Sequence, residues 1–219
     1  MIRLIRPVYR RAINKKGTVI KELEWTLRNL LRRKEQQQVT HNSLKEPVRR
    51  ILANKVLEVK PQTVLEIGCG WGQNLHIINQ RNPEIQLYGF DINRAAIEYI
   101  RKKIPDATVW IQRIENLDTD RRYDVVFTNA ALMYISPQDI QRVMENIIKI
   151  TEKKIILTEL LPERLEEDQL GLGKYINGKW SRNYPALLKG HPIKITRIPK
   201  NTQLDEEWKK RGAIIEAII

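Results

Sequence analysis

The feature that most constrains the fold is a regular alternation of short apolar runs with amphipathic segments in the middle of the chain. The apolar runs are rich in β-branched and aromatic residues, which is typical of buried strands. We predict strands at 63–67, 86–91, 108–111, 123–128 and 154–159, and helices at 74–80, 94–103 and 138–150. Strand, helix, strand repetition at this spacing builds βαβ units and therefore a doubly wound, mostly parallel sheet.

Both ends of this pattern can be refined. Ser136 followed by Pro137 has the composition of an N-cap and a first helical residue, so the helix at 138–150 is expected to begin there. Near the C-terminal end, extended runs at 193–198 and 213–219 predict an antiparallel strand pair. The predicted fold is α/β and Rossmann-like, with a seven-stranded sheet, an antiparallel C-terminal pair and extra N-terminal helices.

Positive charge is concentrated before the α/β body. The formal net charge is +13, and residues 1–55 hold 15 Lys/Arg against 4 Asp/Glu. Leucines at helical spacing predict one helix from residue 21, and a second is predicted from residue 42 or 43 to near Glu58; both are expected to fold back on the body. We therefore divide the chain into a basic helical arm, 1–58, and an α/β domain, 59–219. The arm is either a solvated helical face or a surface that attracts RNA phosphates or anionic lipid headgroups.

Composition excludes several other classes of protein. A hydrophobic fraction of 42% supplies a folded core, and no apolar run approaches the roughly 18 to 20 residues of a membrane span. One cysteine cannot form an internal disulfide, and three scattered histidines do not form a zinc site. The basic start without an apolar segment argues against a secretory signal. We expect a cytoplasmic protein without a metal site, and the arm leaves peripheral attachment to a membrane surface open.

The first predicted strand ends in a glycine-rich loop, GCGWG at residues 68–72. Glycines at the carboxyl end of such a strand let a ligand approach the backbone closely. A dinucleotide fingerprint would need a third glycine where Gln73 stands, and the Lys-Ser/Thr ending of a P-loop is missing. Glu66, just before the loop, would repel a pyrophosphate and attract a cation such as an α-ammonium group. The loop therefore favours a positively charged nucleoside ligand over NAD or ATP.

The second predicted strand ends in an acid, Asp91. A carboxylate at this point can accept hydrogen bonds from both hydroxyls of a ribose. Alternatively, Asp91 caps the helix that follows at Asn93 and Arg94. Because the glycine loop and the acid occur together at the spacing of a nucleoside-binding motif, ribose binding is the preferred interpretation.

Three stretches together resemble the class I S-adenosylmethionine-dependent methyltransferases: VLEIGCGWGQNL, LYGFDINRAAIEYI and YDVVFTNAALMYISPQDI. The resemblance covers residues 63–160. Within that superfamily, the run from Phe127 through IIKITEKKIILTEL, with KWSRNYPALL after it, is similar to a group of small-molecule methylases that includes those associated with pseudaminic acid biosynthesis. The resemblance implies S-adenosyl-L-methionine as cofactor and a small or saccharide-like molecule as methyl acceptor.

The same resemblance implies roles for individual residues. The loop glycines would line the methionine moiety and ribose, Glu66 would act on the ammonium group, and Asp91 would hold the ribose diol. Arg113 stands where the family has an acid for adenine, so the ring contact would fall to Ile92, the backbone of Ile114 or the side chain of Glu115. The implied cofactor residues are Glu66, Gly68, Cys69, Gly70, Gly72, Asp91, Ile92, Ile114, Glu115 and Asn129, the last facing the methionine end.

Methyl transfer from a sulfonium mainly requires alignment, although a hydroxyl or amine acceptor must also lose a proton. Tyr134 is the candidate catalytic residue and acceptor contact, or else a packed aromatic. Glu159 is a candidate acceptor contact or a hydrogen-bond partner at a strand end, and Arg182 is a contact or a surface cation. Tyr184 completes this set. Cys69 is expected to pack or to offer its backbone, because no neighbouring base would create a thiolate.

Two other functions stay open at this point. The basic arm is compatible with an RNA methyltransferase, although Asn129 is followed by two alanines and not by the Pro-Pro-aromatic sequence of a catalytic tetrad. Arg113, where an acid is expected, is compatible with a cofactor-binding interaction protein that has no activity.

Overall fold

The computed structural model describes residues 47–117, 120–199 and 206–219, which belong to the unit Thr40–Ile219. Its helices and strands, in chain order, are α1 (Pro47–Leu57), β1 (Thr63–Ile67), α2 (Gln73–Arg81), β2 (Gln86–Asp91), α3 (Arg94–Lys103), β3 (Thr108–Ile111), β4 (Tyr123–Asn129), α4 (Ile140–Lys149), β5 (Thr151–Leu160), β6 (Lys174–Ile176), β7 (Lys179–Ser181), α5 (Tyr184–Leu187), β8 (Ile193–Arg197), α6 (Glu206–Arg211) and β9 (Gly212–Ile218). Short 3₁₀ turns lie at Ile114–Asn116, Leu132–Tyr134 and Leu165–Asp168.

Seven of the strands form one sheet, in the order β3-β2-β1-β4-β5-β9-β8. Strands β1 to β5 pair in parallel, and β9 runs antiparallel between β5 and β8. Strands β6 and β7 form a separate two-stranded sheet. The order of connection reverses between β1 and β4, and ligands of doubly wound sheets bind beyond the carboxyl ends of the strands at that reversal.

Each face of the sheet is covered by its own set of helices. Val64 packs with residues of α1, α2 and α3, whereas Leu65 packs with residues of α4 and α5. We call these the α1 face and the α4 face. Because successive side chains in a strand point to opposite faces, Glu66 shares the α1 face with Val64. By the same alternation, Thr158 lies on the α1 face with the core residue Ile156.

The structure confirms the predicted fold class. The bounds of β1, β2, β3 and α3 are those predicted, while β4 and β5 are longer and the C-terminal pair is β8 with β9. The predicted start of α4 is wrong, because the backbone N–H groups of Asp139 and Ile140 both donate to the Ser136 carbonyl, and the Ser136 hydroxyl donates to the Asp139 carboxylate at 2.8 Å. Residues 137–139 consequently form a turn, and the helix begins at Ile140.

The arm is described only in part. The helix predicted from residue 21 lies outside the described residues, whereas α1 is the described part of the second predicted helix. Leu52 and Val56 of α1 are fully buried in the core of the α1 face. The division of the chain at residue 58 stays a prediction. No helix among the described residues is long and apolar enough to cross a membrane.

Candidate functional site

The glycine loop is anchored to the neighbouring strand at its first turn. The backbone N–H groups of Gly68 and Cys69 both donate to the carbonyl of Phe90, at 2.9 and 3.0 Å. Gly68, Gly70 and Gly72 have φ angles of 70°, 52° and 78°. These left-handed conformations favour glycine, so the loop sequence is explained first by its backbone.

The three glycines nevertheless have different surroundings. A Cβ on Gly68 would lie 2.7 Å from the Cβ of Ala131, and one on Gly72 would lie 2.7 Å from Cγ1 of Ile100. A Cβ on Gly70 would meet nothing within 4 Å. Gly68 and Gly72 therefore allow close packing within the protein, whereas Gly70 is the loop glycine whose backbone faces open space.

Asp91 ties this open part of the loop to the end of β2. Its Oδ2 accepts from the Gly70 N–H and its Oδ1 from the Asn93 N–H, both at 2.9 Å. The N-cap of α3 is Asn93, whose side chain accepts from Ala96 N–H at 3.3 Å, so the capping alternative for Asp91 is wrong. Burial raises the pKa of Asp91, and the backbone donors partly oppose that rise. A carboxylate has about four acceptor positions, which leaves capacity for a ligand.

Glu66 is buried beneath α1 at the end of a chain of polar side chains. Its Oε1 accepts from Asn74 Nδ2 at 2.6 Å, and Asn74 Oδ1 accepts from Arg49 of α1 at 2.9 Å. Glu66 Oε2 is buried and has no hydrogen-bond partner among the described residues. Burial raises the pKa of Glu66 to about 8, while Asn74 and Arg49 act to lower it. The unpaired oxygen and the raised pKa fit an acid that gains a cationic partner when a ligand binds.

The carboxylates of Glu66 and Asp91 lie on the same side of the fold. Both act with burial to raise the pKa of the Cys69 thiol well above its ordinary value. The Cys69 side chain is part of the core of the α1 face. The side chain therefore packs, which is one of its two predicted roles, and a neutral buried thiol is not a nucleophile. The backbone contact of Cys69 with the cofactor stays a prediction.

Of the two roles predicted for Glu159, the structure supports the hydrogen-bond partner at a strand end. Glu159 is fully buried, and its carboxylate accepts from the hydroxyl of Thr128 at 2.9 Å. It also accepts from the backbone N–H groups of Ala131, Leu132 and Met133, at 3.0, 2.9 and 3.2 Å. Burial raises the pKa of Glu159 to about 7, and these donors oppose the rise. Its carboxylate organises the backbone after β4 and is closed to a substrate.

Arg182 donates hydrogen bonds to backbone carbonyls of the same segment. It is fully buried and donates to the carbonyls of Leu132, at 2.9 Å, and of Ile135. Its Nε donates to the carbonyl of Leu172 at 3.1 Å. Tyr184 is also fully buried. Burial excludes the alternative that Arg182 is a surface cation. The acceptor contacts predicted for Arg182 and Tyr184 stay predictions.

We call residues 131–135 the clamped turn, since Glu159 holds its N–H groups and Arg182 holds its carbonyls. Tyr134 lies in this turn with 41% of its surface exposed. The alternative that Tyr134 is a packed aromatic is therefore disfavoured. A rigid turn at the end of β4 that carries an exposed aromatic ring is suited to contact a ligand above the sheet.

The residues implied to contact adenine differ in burial and in their polar partners. Ile92 and Ile114 are half-buried, and Ile114 Cδ1 would lie 3.9 Å from a Cβ placed on Gly68. Glu115 accepts from Arg113 at 3.2 Å. The Glu115 carboxylate is thus engaged by Arg113. Of Ile114 and Glu115, Ile114 is therefore the better placed to contact the adenine ring.

A cavity of about 160 Å³ opens beyond the ends of β4 and β5 on the α1 face. The residues that line it are Val48, Arg49, Asn129, Ala130, Thr158, Ile198 and Trp208. Of these, only Asn129 was predicted as a site residue. The others come from α1, β5, the end of β8 and α6, and no local sequence signal brings such distant segments together.

Comparisons with known proteins identify similar methyltransferases. Residues 64–154 match the family model described as a methyltransferase domain. A trans-aconitate 2-methyltransferase of Escherichia coli is 27% identical over 139 residues, which are 64% of this chain and 53% of that protein. These similarities support the class I S-adenosylmethionine-dependent methyltransferase superfamily that the motifs imply.

Solved structures of methyltransferases share the fold. A plantazolicin methyltransferase in complex with S-adenosylhomocysteine (SAH) superposes with a TM-score of 0.59 at 17% identity, over 96% of this chain and 98% of that one. The magnesium protoporphyrin IX methyltransferase of Synechocystis PCC 6803, with bound SAH, gives 0.59 at 15% identity, over 82% and 83% of the two chains. The chain spans about half the length of the curated relatives that it matches. The narrower similarity to the pseudaminic acid group stays a prediction.

Proposed function

We propose that this chain is a class I methyltransferase that binds S-adenosyl-L-methionine and transfers its methyl group to a small-molecule acceptor. The observation that carries the proposal is the open backbone at Gly70, held by the Asp91 carboxylate inside the matched domain. A ligand that approaches Gly70 meets an acid able to receive ribose hydroxyls. The buried Glu66 oxygen without a partner supplies the second, cation-seeking acid.

The protein's contribution is mainly to align the donor with the acceptor. The cofactor, when bound, would supply a methyl group on a positively charged sulfur. An acceptor atom in line with the methyl–sulfur bond would displace the sulfur as the leaving group. Holding the reactants in line can contribute about 7 to 11 kcal/mol. Asp91 and the loop would fix the nucleoside, Glu66 would hold the ammonium group electrostatically, and Ile92 and Ile114 would enclose the adenine. Tyr134 on the clamped turn would contact the acceptor.

The first test is binding of SAH by isothermal titration calorimetry. We expect the unmodified chain to bind SAH, and Asp91→Ala to bind it at least about 10-fold to 100-fold more weakly. The reason is that each hydrogen bond to a charged group contributes about 1.5 to 3 kcal/mol. Asp91→Asn, which keeps an acceptor oxygen for Gly70, separates loss of the ligand bond from loss of the loop anchor. Glu98→Gln on the exposed face of α3 is the matched control and should bind like the unmodified chain. Absence of SAH binding by the unmodified chain would contradict the proposal.

A second test compares two glycines of one loop. Alanine at Gly70 places its Cβ in open space and costs only the left-handed backbone conformation, about 1 to 2 kcal/mol of stability. Alanine at Gly72 adds a 2.7 Å collision with Ile100, so its cost should be larger by about 1 to 3 kcal/mol. We expect Gly70→Ala to lose SAH affinity while remaining the more stable variant in urea unfolding. Unimpaired SAH binding by Gly70→Ala would show that the ligand does not approach this backbone.

The roles predicted for the basic arm stay proposals, because residues 1–46 lie outside the described part of the chain. RNA binding by the arm should weaken steeply as salt rises, and so should binding to anionic vesicles. A cofactor-binding protein without activity would bind SAH but transfer no methyl group to any acceptor in a lysate.

A further inference from the structure

The hairpin of β6 and β7 carries the one asparagine of the sequence that is followed by glycine, Asn177 before Gly178. Ile176 pairs with Lys179, so Asn177 and Gly178 form a two-residue loop between the strands. Their φ angles are 49° and 85°, which is typical of a hairpin turn of type I′. Asparagine and glycine are residues that tolerate these left-handed angles, so the turn explains why the pair stands here.

The same pair of residues can react with itself. The backbone nitrogen of the residue after an asparagine can attack the side-chain amide carbon and close a cyclic imide. A side chain on that following residue would crowd the ring, and glycine has none. A Cβ placed on Gly178 would meet nothing within 4 Å, and both Asn177 and Gly178 are exposed. The hairpin tip therefore offers space for the ring and access for water.

The attacking nitrogen lies outside the hydrogen bonds of the hairpin. In a two-residue loop the two flanking residues exchange the last ladder hydrogen bonds, and here these are Ile176 and Lys179. The Gly178 N–H has no backbone acceptor in the described part of the chain. Each strand has three residues, and two-stranded hairpins are marginally stable by themselves. The tip can therefore open and bring the nitrogen to the side-chain carbon while the domain stays folded.

The Asn177 side chain joins the hairpin tip to α6. Its Nδ2 donates to Oε1 of Glu207 at 3.2 Å, and Oε2 of Glu207 accepts from Nε of Arg211 at 2.9 Å. A carboxylate in place of the amide would have no hydrogen to donate and would face Glu207 as a like charge. Trp208, the next residue of α6, lines the cavity beyond β4 and β5. The bond thus holds the hairpin to a helix that contributes to the candidate site.

We propose that Asn177 is a site of spontaneous deamidation and that its conversion releases the hairpin tip from α6. The Gly178 nitrogen loses its proton and bonds to Cγ of Asn177, the Cγ–Nδ2 bond breaks, and the side-chain nitrogen leaves with that proton as ammonia. Water then opens the imide at either carbonyl carbon, and one of its protons returns to the Gly178 nitrogen. The product is aspartate or isoaspartate, ionised at neutral pH. This reaction is independent of the proposed methyl transfer.

The reaction is tested on the folded full chain, incubated in mildly alkaline buffer and analysed by mass spectrometry of its peptides against a zero-time sample. We expect the Asn177 peptide to gain the mass difference between an amide and an acid, faster as the pH rises, because the Gly178 nitrogen attacks after losing its proton. Asn54, exposed in α1 and followed by Lys55, is the internal control and should convert more slowly. Gly178→Ala should slow the conversion of Asn177.

Two results of this experiment would overturn the proposed site. Equal rates at Asn177 and Asn54 would mean that the turn and its glycine give no advantage. Conversion of Asn177 in urea but not in the folded chain would mean that the native turn protects the side chain.

Hydrogen exchange tests the release of the hairpin. Asn177→Asp, which has the side chain of the aspartate product, should speed amide exchange at the hairpin tip by about 2-fold to 10-fold, because one hydrogen bond is lost. Adding Glu207→Gln restores a hydrogen bond with donor and acceptor exchanged and should reverse most of this increase. Gln80→Glu, which adds a negative charge at an exposed residue of α2, is the matched control and should leave the hairpin unchanged. Unchanged exchange in Asn177→Asp, or no recovery in the double variant, would contradict the release.

Discussion

Replacing Glu216 by alanine is expected to lower the free energy of unfolding by about 3 to 5 kcal/mol, because it removes the carboxylate from the buried ammonium of Lys55 and leaves that of Lys154 with only the more exposed Glu58. Glu216 lies on β9 under α1 and is 5% exposed. One of its oxygens bonds Lys55 of α1, and the other bonds Lys154 of β5 at 2.6 Å. Lys154 is 4% exposed and also pairs with Glu58 at 3.0 Å. The carboxylate thus joins α1 to two neighbouring strands.

Urea unfolding followed by circular dichroism measures this loss. The control is Glu163→Ala, which removes the ion pairs of a half-exposed carboxylate with Lys210 and Arg211 and should change stability little. Removing all the charges together, as Lys55→Met with Lys154→Met and Glu216→Met, should recover much of the loss, because no buried charge is left unpaired. A single variant as stable as the unmodified chain would show that water reaches these ammonium groups.

The same network makes the free energy of unfolding depend on pH in a direction that can be predicted. The two lysines lower the pKa of Glu216 in the folded state, against the opposing effect of burial, and the carboxylates raise the pKa of Lys154. The stabilisation by Glu216 is therefore present above the pKa of an unfolded glutamate, about 4.3, and is lost as the pH falls through the lower folded value. That by Lys154 is present below the pKa of an unfolded lysine, about 10.4, and is lost only at higher pH. Glu216→Ala should remove the acid part of this profile.

Much of the fold could be predicted because its signals are local. The bounds of β1 to β3 follow from short apolar runs that stop at polar or glycine residues. The predicted start of α4 was wrong for an equally local reason, because the Ser136 hydroxyl bonds the nearby Asp139 carboxylate and caps no helix. The loop and Asp91 were predictable because the motif's spacing brings them to adjacent strand ends.

The rest of the site depends on contacts between distant segments. Arg49 reaches Asn74 across 25 residues, and Arg182 reaches Leu132 across 50. An arginine or glutamate in a sequence gives no sign of whether it will be buried against backbone groups or face a ligand. From the sequence, Glu159 could be an acceptor contact or a hydrogen-bond partner at a strand end, and Arg182 an acceptor contact or a surface cation. The fold uses both side chains to hold the clamped turn.

That turn gives the second large effect. Glu159→Ala should lower the free energy of unfolding by about 3 kcal/mol or more, because three backbone N–H groups from Ala131 to Met133 lose their acceptor in a buried place. Glu159→Gln keeps the oxygen that Ala131 and Leu132 share but turns an amide N–H₂ toward the Met133 N–H, so its cost should be about half as large. Urea unfolding at neutral pH ranks the three chains.

A pH series separates the charge of Glu159 from its hydrogen bonds. Because burial raises its folded pKa to about 7, the folded chain binds a proton more tightly than the unfolded chain does. This contribution therefore declines as the pH rises from about 4.3 to 7 and is constant above that range. Glu159→Gln carries no titrating group and should lose this slope. If stability varied with pH in the same way in Glu159→Gln and in the unmodified chain, Glu159 would be ionised throughout this pH range.

A double-mutant cycle tests whether the two sides of the clamped turn act together. Once Glu159→Ala has released the N–H groups, the carbonyls of Leu132 and Ile135 are no longer held in place for Arg182. Arg182→Met should then cost less than it does in the unmodified chain, giving a coupling of about 0.5 to 3 kcal/mol. Exposed Tyr134 reports the local change in the turn. Fluorescence quenching by iodide is measured in each variant with Tyr134 and again with Tyr134→Phe, and the difference gives the accessibility of Tyr134 to iodide. Additive losses would mean that each clamp holds a separate part of the turn, and Tyr134 would then keep its position when either one is removed.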